Sequence, residues 1–186
     1  MIVDELTSRL AERIRTEREA RGWSLSDLAA ASGVSRAMIS KIERAEASPT
    51  AALLGRLSGA FGLTLSSLLA RAEATTERLR RADRQPVWRD PQTGFRRRAI
   101  SPLGEAGIEL VESELPAGAR VDYPASAYAF IRQQIWLREG ELDFTEGGET
   151  TRLRPGDCLE LGPPVDCAFF NPGSEPARYV VVVVRR

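Results

Sequence analysis

The spacing of apolar residues changes at Pro86, and that change demands two kinds of structure from one chain. Upstream, Leu6, Leu10 and Ile14 recur every four residues with Arg and Glu between them, the period of an amphipathic helix. Gly22 ends that helix, and Ser24 caps a second, with Asp27 three residues on as a capping-box acid. Leu28 and Ala29 face inward and Gly33 stops it; Ser35 caps a third helix running to about Arg44. Pro49 and Thr50 open a fourth, which carries Leu53, Leu54, Leu57 and Phe61 and closes at Gly62. Leu65, Leu68 and Leu69 supply a short fifth. Residues 1–70 are therefore expected to form a compact five-helix bundle.

Residues 71–84, "RAEATTERLRRADR", lack an apolar stripe and read as a charged linker. From residue 85 onward the runs "IELVESEL", "QQIWLREGELDF", "DCLELG" and "ARYVVVVVRR" have strand character. Gly140, Gly147-Gly148, Pro155-Gly156, Pro163-Pro164 and Pro172-Gly173 punctuate them, as in an all-β sandwich or barrel. Val180 to Val184 is apolar enough to be expected buried on both faces. The expected fold class is α+β in two domains.

Composition narrows the function classes. Hydrophobic content of 42% with 28% charged residues is globular, and no run nears the roughly 18 apolar residues of a membrane span. The N-terminus has acidic residues where a secretory leader would be basic, so a cytoplasmic protein with no membrane partner is expected. Cys158 and Cys167 are too few for a disulfide scaffold and are read as reduced thiols. Net charge is zero, but residues 1–84 carry +3 and residues 85–186 carry −3, which suggests different partners for the two parts.

The third helix sorts its residues by angle. At about 100° per residue, with Arg36 as zero, Ser40, Arg44, Ala37 and Lys41 share one arc and Met38, Ile39, Ile42 and Glu43 the other. The lean, cationic arc suits a helix entering a DNA major groove; any surface helix also shows a polar face. Glu43 on the inward arc needs a partner, for which Arg18 is a candidate, or it bends out to water. Lys41 is the only lysine beside twenty-five arginines. A short helix, a Gly-containing turn and a second helix behind a Ser cap is the helix-turn-helix arrangement.

"LAAASGVSRAMISKIERAEASPT" resembles the helix-turn-helix of the Cro/lambda-repressor (XRE) family of transcriptional regulators, through Leu28-Ala29, Gly33-Val34, Ser35, Ile39-Ser40, Ile42-Glu43 and Ser48-Pro49-Thr50. The resemblance covers roughly residues 9–70. It implies a double-stranded DNA operator as partner, with base contacts from Arg36, Ala37, Ser40 and Lys41 and phosphate contacts from Ser24, Ser35 and Arg44. Lys41 would take a guanine or a phosphate. The resemblance also implies an interhelical ion pair between Arg18 and Glu43. Ala45 departs from the family, which often has Gly there, so the helix is expected to run on to Ala47.

"LREGELDF" and "TRLRPGDCLELGPPVDCAFFNPGSEPARY" are similar to the two motifs of a cupin, which implies an antiparallel β-barrel over residues 85–186 for effector binding or dimerisation. Metal-dependent cupins place histidines and a Glu where this chain has Tyr128 and its neighbours, Gln133 and Cys167. With no histidine in the chain, a three-His or two-His-carboxylate centre is impossible, and no metal or cofactor is expected; Cys167 with Glu160 or Asp166 is the remaining donor set. Tyr128, Arg132, Gln133, Gln134, Trp136 and Cys167 fall near the family's pocket positions and would contact a small-molecule effector, or serve as ordinary packing. "GFRRRAI" reads as a strand with charges alternating between faces, at a surface or dimer edge.

The expected function is a non-enzymatic, sequence-specific transcriptional regulator, a homodimer whose cupin part senses a small molecule or dimerises. The alternatives are a cupin enzyme with an accessory helical domain, and a DNA-binding protein whose barrel serves only for dimerisation.

Overall fold

A computed structural model describes residues 5–65, 68, 78–102 and 108–185. Four α-helices come first: α1 (Glu5–Ala20), α2 (Leu25–Ser32), α3 (Arg36–Glu43) and α4 (Ala51–Ala60). Their boundaries follow local chemistry. The Ser24 and Asp27 side chains each accept from the other's backbone N–H, a complete capping box for α2. Ser35 accepts from Met38 N–H and Thr50 from Leu53 N–H. Gly33 ends α2 at φ +66°, the left-handed region that glycine enters without a Cβ clash.

Ten strands follow: β1 (Val87–Arg89), β2 (Arg96–Ala99), β3 (Ile108–Leu115), β4 (Arg120–Tyr123), β5 (Ile131–Glu139), β6 (Leu142–Glu146), β7 (Glu149–Leu153), β8 (Cys158–Glu160), β9 (Cys167–Phe170) and β10 (Ala177–Arg185). They form a six-stranded sheet of order β1-β2-β3-β10-β5-β8 and a four-stranded sheet of order β4-β9-β6-β7, with antiparallel pairing throughout. Between them lies an aromatic core in which Phe169 stacks on Tyr179 at 5.8 Å and meets Phe144 at 4.9 Å.

Two expectations about this architecture are corrected. Among the described residues the expected five-helix bundle is a set of four helices: the stretch expected as the fifth is described only at Leu65 and Leu68, both buried, and Leu69 lies outside the described residues. The β part is not a closed barrel. Among the described residues no backbone ladder joins the two sheets, so β1 and β8 remain edges of one and β4 and β7 edges of the other. The α+β class stands.

Two smaller expectations also differ. α3 stops at Glu43 because Ala45 turns to φ +56°, a left-handed residue that ends the helix despite its Cβ. Within β10, Val181 and Val183 are buried, while Val184 is 42% exposed and Val180 and Val182 are half-buried. Among the described residues only one face of β10 is fully buried. Of the stretch expected as a linker, residues 71–77 lie outside the described residues, and Ala82–Arg84 form a single 3-10 turn.

The helices and sheets share one continuous core. Helix α4 presents Gly55 and Gly59 to the β part, where a Cβ on Gly59 would lie 2.7 Å from the Ser126 carbonyl oxygen and one on Gly55 2.8 Å from the Tyr123 ring. Asp90, just after β1, accepts from Ala51 N–H at 2.6 Å and so caps α4 from outside the helical segment. Thr64 donates to Glu109 on β3 at 2.8 Å. No helix among the described residues is long and apolar enough to cross a membrane.

Candidate nucleic-acid interface and β-domain cavity

The outer flank of α3 is lean and charged. Arg36, Ala37, Lys41 and Arg44 are exposed and Ser40 is half-buried, while Ile39 and Ile42 are sealed in the core. The helix is held in that rotation from behind. Arg18 on α1 donates Nε and Nη2 to the two Glu43 carboxylate oxygens, both at 2.8 Å, and Nη1 to the Trp23 carbonyl at 2.9 Å. The Glu43 hydrogen bond raises the Arg18 pKa against the opposing effect of its burial. With both partners largely buried, this fork locks α3 to α1.

Of the residues read as phosphate contacts, Ser24 and Ser35 are exposed hydroxyls that already serve as caps. Arg44 is not idle either. It donates Nη1 to Ser40 Oγ at 2.7 Å and pairs with Glu46. Glu46 is a residue that the angular reading of α3 passed over, because it lies beyond the helix end.

In the β part, a cavity of about 380 Å³ opens between the sheets. Tyr128, Arg132, Gln133 and Cys167 line it. Gln134 and Trp136 do not. They are exposed on the outer face of the six-stranded sheet, opposite Val182 and Val180 of β10, and the Arg138 guanidinium stacks on Trp136 at 4.2 Å. Sequence reasoning missed Glu146, Glu160, Leu161 and Val165 as lining residues. Strand alternation could have excluded Gln134 and Trp136, since Gln133 faces in; Arg132 shares their parity and is exposed, as is Glu160 opposite Gln134.

Cys167 forms the neutral floor of this cavity. Burial pushes its thiol up to about 11, partly opposed by a hydrogen bond with Tyr128. A thiol held protonated is a poor metal ligand, and among the described residues no three His, Cys, Asp or Glu side chains are grouped to hold an ion. The metal centre of metal-dependent cupins does not fit this donor set.

A second, smaller cavity of about 30 Å³ sits at the seam between α4 and the sheets, and Gly55, Ser58, Arg97 and Tyr123 are among its walls. Of the three consecutive arginines of β2, Arg97 reaches this inner cavity, whereas Arg98 pairs with Glu112 across the sheet. Tyr128, Ile131 and Gln133 line both cavities. Tyr128 also meets Tyr123 edge-on at 5.9 Å, and Tyr123 lies against Gly55 of α4.

Comparison with known proteins agrees with this division. Residues 14–68 match the helix-turn-helix family model HTH_3, and residues 132–183 match the Cupin_2 model of cupin domains. The chain is 26% identical over 183 residues to the HTH-type transcriptional regulator SutR of Escherichia coli, with 95% of each chain covered. It is 41% identical over 140 residues to an uncharacterized HTH-type transcriptional regulator of Mycobacterium tuberculosis, covering 66% of this chain and 54% of that one. The crystal structure of an HTH_3 family transcriptional regulator from Vibrio cholerae has the same fold, with a TM-score of 0.80, 21% identity and 97% of each chain covered.

Proposed function

We propose that this chain, a helix-turn-helix transcriptional regulator that carries a cupin domain, reads a duplex operator with α3 and adjusts its hold on DNA to a small molecule in the β-domain cavity. The observation that carries the DNA reading is the sorting of α3: cations and small residues outward, Ile39 and Ile42 inward, and the whole helix fixed by the Arg18–Glu43 fork. Arg36, Ala37, Ser40 and Lys41 would face base edges. Arg36 is suited to guanine through two parallel hydrogen bonds. Ser24, Ser35 and Arg44 would meet phosphates on either side.

On this reading residues 1–70 form the DNA-binding domain, 71–84 a linker and 85–186 the effector or dimerisation domain, and the protein works in the cytoplasm without enzymatic activity. One such module touches few base pairs, so a homodimer reading half-sites about 34 Å apart is expected. The outer sheet face, with Ile108 53%, Trp136 41% and Val184 42% exposed, favours the β part as the dimerising surface. The Tyr128–Tyr123–Gly55 contacts supply a packed route from cavity to α4, along which a ligand favouring one packing would bias the DNA-binding helices.

Selection of bound duplexes from a random pool tests the reading. The expected result is enrichment of one two-fold symmetric motif; retention of DNA with no enriched motif overturns sequence-specific regulation.

A further inference from the structure

The outer face of the six-stranded sheet gathers most of the exposed apolar side chains. Strand pairing puts Val87, Ile108, Leu110, Trp136 and Val184 on it together, with half-buried Val180 and Val182 between them. Five of the eight large apolar residues exposed among the described residues thus share one face. Scattered single residues would need no explanation, but a contiguous patch marks an interaction surface.

The charges around the patch are sorted as well. Arg98 pairs with Glu112, Arg178 pairs with Glu114 and Glu139, and Arg138 stacks on Trp136. Arg132 and Glu160 differ. Both are exposed on this face, Arg132 opposite Val184 and Glu160 opposite Gln134. Among the described residues neither makes an ion pair or a side-chain hydrogen bond. One unmatched cation and one unmatched anion on the same surface suit a self-complementary contact, because a two-fold axis presents each to the other twice.

Sheet geometry fixes where that axis lies. Strands stand about 4.8 Å apart, and same-face residues about 6.8 Å apart along a strand. In projection onto the sheet, one two-fold line superposes Arg132 of each copy on Glu160 of the other. It passes beside Val182 and Gln134, and it lays Val180 over Leu110 and Trp136 over Ile108 of the second copy. The operation selected by charge alone also sets apolar against apolar.

We propose that this face is the contact between two copies of the chain. It forms an isologous sheet-on-sheet interface with Val182 near the axis and two Arg132–Glu160 ion pairs astride it at the β8 edge. The proposal rests on the homodimer reading above and names the surface and the ion pairs that make the dimer.

Sedimentation velocity of the full chain, with native mass spectrometry of mixtures, tests it. The wild-type chain should be a dimer. Arg132→Glu and Glu160→Arg each set like charges against one another at both pairs, and each should raise the dimer dissociation constant at least about tenfold. Mixed in equal amounts, the two variants should form a heterodimer, since every cross-copy pair is again of opposite sign. Pairing within one chain gives no such rescue, and neither does a variant that fails to fold. Phe130→Ser, which removes an exposed apolar side chain near Gly62 and off this face, should leave the dimer unchanged.

Retention of the dimer by both variants overturns the interface and leaves the homodimer reading standing. Loss of the dimer in both without recovery on mixing overturns the Arg132–Glu160 pairing. A wild-type chain that stays monomeric at every concentration tested takes down the interface and the homodimer together.

Discussion

Arg44 grips Glu46 with two hydrogen bonds, Nε to Oε1 at 2.7 Å and Nη2 to Oε2 at 2.9 Å, just past the end of α3. Both residues are more than half exposed, so the pair adds little to folding. On the proposed DNA reading its effect falls on DNA instead, because a carboxylate occupies the arginine that would meet a phosphate. Glu46→Gln should therefore tighten operator binding by about threefold and steepen its salt dependence. Fluorescence anisotropy at two salt concentrations checks this; unchanged affinity would take Arg44 off the phosphate backbone.

Among the described residues Arg36 makes no ion pair or side-chain hydrogen bond, and on the proposed reading it meets a base. Arg36→Ala should cost about 1–3 kcal/mol of binding and relax preference at one operator position. Competition among operators that differ at single positions measures it. Equal loss on every sequence would reassign Arg36 to backbone contact.

The Arg18–Glu43 fork is nearly buried, and cutting either end strands the other. Arg18→Leu and Glu43→Leu should each destabilise the fold by about 3 kcal/mol, and the double variant by clearly less than their sum. Urea unfolding of the three variants gives the coupling. Strict additivity would mean that the fork does not fasten α3.

Ala45 spends its Cβ in left-handed backbone at φ +56°. Ala45→Gly removes that strain, at the cost of extra freedom in the unfolded chain, for a net gain of about 0.5 kcal/mol. A lower midpoint in urea would contradict this account of why α3 ends where it does.

The two thiols should separate cleanly with pH. Cys158 is exposed and Cys167 buried with its pKa raised to about 11. At pH 8 iodoacetamide should modify Cys158 alone, because alkylation requires the thiolate. The folded state holds the Cys167 proton after the unfolded chain, at an ordinary value near 9, has released it. Stability contributed by this group is thus intact below about pH 9 and falls as pH rises toward 11. Mass spectrometry after timed labelling and urea midpoints across that window measure both effects.

Much of the helical part could be read from the chain because its determinants are local. Ser24 with Asp27, Gly33, Ser35 and Thr50 each act within a few residues of themselves, and each caps or stops the helix expected of it. Asn171 of the second cupin-like motif is local on one side only: fully buried, it donates to the Glu175 carbonyl four residues on and to the Leu115 carbonyl fifty-six residues back. Determinants that act across distance were not legible. Nothing near Ala51 announces that Asp90, thirty-nine residues on, caps its helix. Whether two sheets close into a barrel depends on edge pairing that no strand encodes alone. Trp136 was misplaced for a different reason: the cupin resemblance put it near the family's pocket positions, while strand parity put it on the outer face beside Val180.

The Asp90 cap also alters what counts as a part of this molecule. A helix of the helix-turn-helix half has its first turn completed by a carboxylate from the β half, and its Gly55 seats a tyrosine from there too. A fragment severed between the halves would keep the exposed flank of α3 but lose the contacts that fasten α4. The two halves should therefore melt as a single cooperative block, with one calorimetric transition rather than two.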